Sequence, residues 1–299
     1  MHKVTCIIVT FNRHKLLIEC IKSLLRQSYS PAQILIIDNA STDGTRYHLT
    51  SQGFIGNALI SYCFLPNNIG GAGGFAEGIK LAISSGADWI WLMDDDAMPQ
   101  PDALEKLLQH SLDENCVYGS VAIGEDGEHL CWPVETGNGQ KLNTLNDLNK
   151  DRLPVVFQPF LGFLINKKLV EKVGLPDADF FLSGDDVDYS LRIANQGGKI
   201  YLCRDSIIRH PLPPKKSINL FGFKMDLLVQ TPERAYYNIR NKIIISRRYY
   251  GIKLWTQTLP GILIRLLWSL IYQADRVSIL KSYLMALIHG FMGRLGKFN

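Results

Sequence analysis

Residues 89–99, WIWLMDDDAMP, run from five apolar residues straight into three consecutive aspartates. The apolar part reads as a strand covered on both faces. The acidic part costs free energy, because adjacent carboxylates repel one another unless a cation or a hydrogen-bonding ligand offsets them. An open α/β sheet binds small molecules beyond the carboxyl ends of its strands, and a strand ending in such a cluster fits that edge. A solvated turn capping the next helix is the plainer alternative; it accounts for one aspartate better than for three. Hard carboxylate oxygens suit Mg²⁺ or Mn²⁺, and such an ion can bridge to a diphosphate. In an extended chain Asp94 and Asp96 point to one side and can approach the same ion, while Asp95 faces elsewhere.

Working outward, the same alternation recurs on either side. Val4–Thr10 (VTCIIVT) is rich in β-branched residues and nearly all apolar, as a central parallel strand should be. Leu16, Leu17, Cys20, Ile21, Leu24 and Leu25 then form a helical stripe. A strand over 34–37 ends at Asp38-Asn39. Ser41-Thr42-Asp43-Gly44 is turn and cap chemistry before another helix. A strand over 59–65, a helix over 74–84 and a helix from Pro101 to about 111 complete the pattern, which predicts an open α/β sheet. Its polar strand ends, 10–13, 38–39 and 94–96, should lie together.

Farther on, residues 124–154 are polar and weakly periodic and read as an irregular insertion or flap. Residues 159–165 return to strand character, 185–196 read as a short helix and 199–203 as a strand. Beyond PLPP at 211–214 the sequence turns to long basic, apolar helices, which sets a boundary near 212–230 and two regions, 1–211 and 212–299.

The 299 residues carry a net charge of +4, unevenly spread: residues 231–299 hold 11 Lys/Arg and 2 Asp/Glu. The remainder is therefore acidic, and the basic tail is suited to something anionic. None of the six cysteines forms a C-x-x-C pair or a zinc spacing, so they read as core residues of a protein in a reducing compartment. The apolar run 4–10 is too short for a signal peptide and reads as the first strand.

Four further stretches could carry chemistry. Residues 67–78 (NNIGGAGGFAEG), beginning at Asn67, hold five glycines without a dinucleotide or Walker pattern. They allow close backbone approach at a helix N-terminus, which favours anions, or simply a tight loop. In residues 180–192 (FFLSGDDVDYSLR), Asp185, Asp186 and Asp188 open a helix. Helix-dipole stabilisation explains one or two of them; a close carboxylate pair also supplies a proton acceptor. His210, in SIIRHP, ends a strand, and YYNIRN at 236–241 reads as the start of an amphipathic helix.

Taken in order, VTFNR, IIDNASTDGT, NNIGGAGGF, WLMDDDA, the run FLGFLINKKLVEKVGLPDADFFLSGDDVDYSLR and YYNIRN resemble the inverting glycosyltransferases of family two. The resemblance covers roughly residues 3–245. It implies a GT-A fold: a Rossmann-like open mixed sheet flanked by helices, here with a C-terminal basic helical region. The aspartate triplet, doubled glycines and DDVDY look most like bacterial galactofuranosyltransferases, with rhamnosyltransferases as a sister branch. The resemblance implies that Thr10, Asn12 and Arg13 line the nucleotide pocket and that Asp38 contacts uracil or ribose; Asn67 and Asp95 are expected on the donor side as well. Asp94, Asp96 and His210 would hold Mn²⁺ or Mg²⁺ on the donor diphosphate. Asp186 would be the general base, with Asp185 beside it. Two positions depart from the pattern: Asp185 stands where Glu is commoner, and Gly184 where the galactofuranosyl branch tends to carry an aromatic residue.

The expected reaction moves a sugar from a nucleotide-sugar donor, UDP-galactofuranose by this resemblance, to a glycan acceptor in surface polysaccharide synthesis. The aliphatic, aromatic and basic tail suits helices lying in a membrane interface, interrupted by Arg265 and Asp275-Arg276. The alternative is a helical subdomain packed on the catalytic region, or an oligomer interface. Interfacial helices would place the enzyme on the cytoplasmic face of the inner membrane, near a lipid-linked acceptor. Nucleic acid is a poorer partner, because the basic residues are interleaved with aliphatic ones. The rival class is a non-catalytic nucleotide-sugar-binding scaffold.

Overall fold

A computed structural model describes residues 2–298 except 110, 137–138, 213–214 and 221–222; for 215–220 and 223–228 it describes the backbone alone. The chain divides into two compact units. One is the segment through Ala178 with Asp186–Leu212; the other is Asp179–Asp185 with the segment after 212. The division expected at 211/212 thus meets a second crossing, because residues 179–185 group with the C-terminal part. The expected boundary zone, 212–230, falls partly outside the described residues.

The first unit is built on a mixed sheet. Strands β1 (Val4–Thr10), β2 (Gln33–Asp38), β3 (Ile60–Phe64) and β4 (Trp89–Asp94) are parallel, in the order β3-β2-β1-β4. The sheet continues through β10 (Phe163–Asn166), antiparallel to both its neighbours, to β6 (Cys116–Ile123), β11 (Lys199–Arg209) and the two-residue β5 (Met98–Pro99). Period-two alternation sorts the strands' side chains onto two cores. Val4, Cys6, Ile8, Trp89, Trp91 and Met93 enter one, with Leu17, Ile21 and Leu24 of helix α1 (His14–Leu25). Ile7, Val9, Ile90 and Leu92 enter the other, with Phe75 and Ile79 of helix α3 (Gly70–Ser84). Helix α2 (Thr45–Ser51) follows the turn at 41–44, as expected.

Helix α3 starts four residues before the expected 74, for a packing reason. A Cβ on Gly74 would lie 2.6 Å from Val9, and one on Gly78 2.7 Å from Ile7. These glycines let the helix lie directly on β1, and that contact outweighs their poor helix propensity. Gly70 has φ +78 and hands its carbonyl to Asn39.

Three other expectations need correction. Residues 124–154 are largely ordered into β7 (His129–Glu135), β8 (Lys141–Thr144) and β9 (Arg152–Pro154), which pair with β6, each other and β11. β7 and β8 form a local meander after β6, and β9 is extended by its ladder with β11, about fifty residues on; such pairing sets the conformation where local periodicity is weak. Strand β11 runs on to Arg209 through an irregularity between Cys203 and Ile207. The helix after Pro101, α4, is only Ala103–Leu108. Helices α5 (Lys167–Val173) and α6 (Asp185–Asn195) follow β10.

In the second unit a hairpin, β12 (Lys215–Leu220) and β13 (Phe223–Leu228), precedes the expected helices α7 (Pro232–Ile245), α8 (Leu259–Tyr272) and α9 (Arg276–Met292). Two π-helical turns, Ser246–Tyr250 and Leu254–Thr258, link α7 to α8. Tyr236, Tyr237, Ile243, Leu254, Ile262 and Tyr283 build its core. All six cysteines are free and five are buried; burial pushes the thiols of Cys6 and Cys20 well above their ordinary value.

Candidate active site

Because β1 lies between β2 and β4, with Thr10 opposite Asp38 and Val9 opposite Asp94, their polar ends share one sheet edge. Strand β4 stops at Asp94 and the chain turns at once, the Ala97 amide donating to the Asp94 carbonyl at 3.2 Å. The expected alternation of 94 and 96 against 95 therefore fails, since it requires an extended chain. Instead Asp95 and Asp96 face the same cation. Arg13 donates from Nη1 to Asp95 Oδ1 at 2.8 Å and from Nη2 to Asp96 Oδ2 at 2.7 Å. Buried Thr10 donates to Asp95 Oδ2 at 2.7 Å, and His210 Nε2 lies 3.2 Å from Asp96 Oδ1. His210 Nδ1 is a buried atom without a hydrogen-bond partner.

These surroundings split the three carboxyls. Burial would raise Asp96, but His210 and Arg13 hold it down to about 2. Burial lifts Asp95 to about 6 against the pull of Arg13 and Thr10. Asp94 is open to solvent, yet protein crowded around it and the like charges of Asp96 and Asp95 push it up to about 8. Since water still reaches this side chain, charge crowding is the cause that matters. Burial lowers His210, and its bond to Asp96 overrides that and holds it up to about 10.

The charge of Asp186 adds to the crowding on Asp94, which brings the second acidic stretch to the first. Asp186 is half-buried and Asp185 and Asp188 are buried. Burial raises Asp186 to about 6 while the Val187 amide, donating at 2.8 Å, pulls it back. Asp188 lies 4.0 Å from Arg192. Asp186 is thus the accessible acid of the three.

The expected nucleotide residues are distributed unevenly. Asn12, at φ +55, accepts from the Thr42 amide at 2.6 Å and so ties the ends of β1 and β2 together. Asp38 is fully buried, and its two oxygens accept from the Ser41 amide at 2.8 Å and the Tyr62 hydroxyl at 2.5 Å. In this structure it braces the turn from beneath. Asn67 is exposed ahead of α3. Sequence reasoning missed Asn39, which donates to the Gly70 carbonyl at 2.7 Å and accepts from the Ile69 amide at 3.0 Å, fixing the glycine loop to β2. Its place directly after Asp38 was the available signal.

Among the described residues no three Asp, Glu, His or Cys side chains converge as a ready-made metal cage. The donor set nevertheless fits a hard divalent cation: an open, charge-crowded Asp94, Asp96, and an imidazole within reach of Asp96.

Parallel strands that gather acids at one sheet edge fit the GT-A class of fold expected from the sequence. Residues 5–174 match the family described as Glycosyl transferase family 2. The chain belongs to this family and is a glycosyltransferase. It is 30% identical over 251 residues to galactofuranosyltransferase GlfT1 of Mycolicibacterium smegmatis, covering 80% of this chain and 81% of the relative. It is 24% identical over 224 residues to the dTDP-rhamnosyl transferase RfbF of Shigella flexneri, covering 73% and 74%. Among solved structures, GalNAc-T7 with UDP, GalNAc and Mn²⁺ superposes with a TM-score of 0.62 at 14% identity, over 84% of this chain and 48% of that one.

Proposed function

We propose that the protein transfers galactofuranose from UDP-galactofuranose, with inversion, to a glycan acceptor in cell-surface polysaccharide synthesis. The observation that carries the chemistry is the pairing of the open, charge-crowded Asp94 with a nearby accessible acid, Asp186. The likeness to GlfT1 supports the donor sugar. Asp94 and Asp96, with His210, would hold Mn²⁺ or Mg²⁺, whose chemistry is to neutralise charge on the departing diphosphate. Thr10, Arg13 and Asp95, joined by hydrogen bonds, would line the nucleotide side with Asn12 and Asn67, and Asp38 would support it through the turn at Ser41 and through Tyr62. Asp186 takes the proton of an acceptor hydroxyl as that oxygen bonds to the anomeric carbon and the bond to the diphosphate breaks on the opposite face. The proton remains on Asp186, and a single displacement inverts the anomeric centre. Asp185, buried beside it, supports the helix start.

Matched initial rates with UDP-galactofuranose, dTDP-rhamnose and UDP-hexopyranoses test the donor. A preference for UDP-galactofuranose is expected. A preference for dTDP-rhamnose would move the protein to the sister branch.

The second unit supports a peripheral position on the cytoplasmic face of the inner membrane, close to a lipid-linked acceptor. Leu263, Leu267 and Ile271 on α8 and Val277, Leu280 and Leu284 on α9 are exposed at helical spacing, in the strongly basic part of the chain. Residues Leu254–Tyr272 are long and apolar enough to cross a membrane by length and composition, and most of the stretch is not buried; Arg265 in their midst favours lying in the interface. The intact protein should co-sediment with anionic vesicles, less at high salt. The exposed-site variants Leu267→Glu and Leu284→Glu should weaken this. Equal sedimentation of all three proteins would remove the membrane from the reading.

A further inference from the structure

The turn that delivers the acidic helix α6 is unusually contorted. Phe181 (φ 63), Ser183 (φ 67) and Gly184 (φ 83) all adopt the left-handed backbone region, immediately before Asp185-Asp186. Such conformations are costly for a residue with a side chain, most of all a bulky one, and persist only where surrounding contacts over-determine them. Here one side chain supplies most of those contacts. The Asn241 amide donates through Nδ2 to the carbonyls of Phe180 at 3.0 Å, Leu182 at 2.9 Å and Ser183 at 2.7 Å.

Asn241 is itself held. Arg240 donates from Nε to Asn241 Oδ1 at 2.7 Å, which fixes the amide with its nitrogen toward the turn. The same guanidinium donates to the Phe180 carbonyl at 2.8 Å and the Gly296 carbonyl at 2.6 Å, and lies over the rings of Tyr236 and Tyr237. Both residues are 1% exposed. Phe181 stacks on Tyr237 at 4.9 Å between centroids. The glycine at 184 also has a reason: besides its φ, a Cβ there would lie 3.1 Å from Ile245. A side chain at this position would be strained by the backbone and would have to push the end of Ile245 aside.

We infer that Asn241 is a positioning residue: it clamps the strained turn 180–184 and thereby sets where Asp186 presents its carboxylate. The inference rests on the reading of Asp186 as the base. Both ends of the Asn241 amide are taken up by the turn and by Arg240, so its removal should act on turnover and not on nucleotide affinity.

The test is a double-mutant cycle on the full chain with Asn241→Ala, Asp186→Asn and the double variant. It reads the turnover of transfer, UDP affinity by titration and thermal unfolding. Asn241→Ala should lower kcat roughly 10²-fold, the scale of a misplaced catalytic group, with UDP affinity unchanged. In the Asp186→Asn background it should cost nothing further, because both changes remove the same function. Losses that multiply, or a parallel loss of UDP affinity, would mean a merely structural residue and overturn the clamp. Wild-type kcat for Asn241→Ala beside a slow Asp186→Asn would overturn the clamp alone. Wild-type turnover of Asp186→Asn would instead overturn the base, and the clamp with it. If Asn241→Ala does not fold, Asn241→Asp takes its place in the cycle, since it keeps the size and the acceptor toward Arg240 but removes the Nδ2 donor; the same outcomes apply.

Discussion

The aspartates at 94–96 and those at 185, 186 and 188 look alike in sequence: each is an acidic cluster following an apolar run. Their settings are opposite. At the strand end, charge is answered by cations from distant parts of the chain, Arg13 and His210, and the three carboxyls are driven apart, from about 2 at Asp96 to about 8 at Asp94. At the helix start, Asp185 and Asp188 are buried, and only Asp186 stands partly in the open, raised to about 6. The first arrangement suits holding a cation; the second suits taking up a proton. Residue type alone would not separate these roles, because the environment sets which protonation state each carboxyl favours.

The largest effect that could break this contrast is removal of metal. Chelation by EDTA should abolish transfer, with activity restored by Mn²⁺ or Mg²⁺. Asp94→Ala and Asp96→Ala should each lower kcat/KM by on the order of 10³-fold, the equivalent of several kcal/mol of lost charge stabilisation, and weaken donor binding too. Full activity in metal-free buffer would make the strand cluster a structural ion-pair network and nothing more.

Next in size is the base. Asp186→Asn should cost about 10²–10⁴ in kcat with donor binding intact, whereas Asp185→Asn should be hurt less. A dead Asp185→Asn beside an active Asp186→Asn would reverse the assignment.

The pH profile sharpens the contrast most finely. Asp186 must be ionised to accept a proton, so activity falls as pH drops through its folded value. That value is about 6 without a cation, and a cation held nearby favours the ionised form. The acidic limb should therefore lie at or below pH 6, with the rate dropping about tenfold per unit beneath it. A limb well above pH 6 would point to another group.

Much of the sheet was readable because its strands are local signals: β1 and β4 are apolar throughout, as two-sided burial demands, and α1 carries its stripe in its own residues. The strand-end acids were readable for the same reason. What escaped the sequence was everything decided by partners far along the chain. Strand β9 is extended because of its ladder with β11, about fifty residues on. Asp95 turned toward Arg13 because the chain turns directly after Asp94 instead of staying extended through Asp96. Gly74 and Gly78 read as a possible ligand loop, and only the closeness of Val9 and Ile7 explains them. Asn39, Tyr62 and Asn241 donate to carbonyls and a carboxylate 24 to 61 positions away. No periodicity announces such bonds.

The buried cysteines give the protein a built-in gauge of its own opening. A thiol reacts as its thiolate, and dry surroundings suppress that form at Cys6 on β1 and Cys20 on α1. A reagent in the surrounding water therefore reaches them only when strand and helix part. The speed of their labelling reports how often that happens, and slower labelling in the presence of a nucleotide would register the ligand through the hydrophobic core itself.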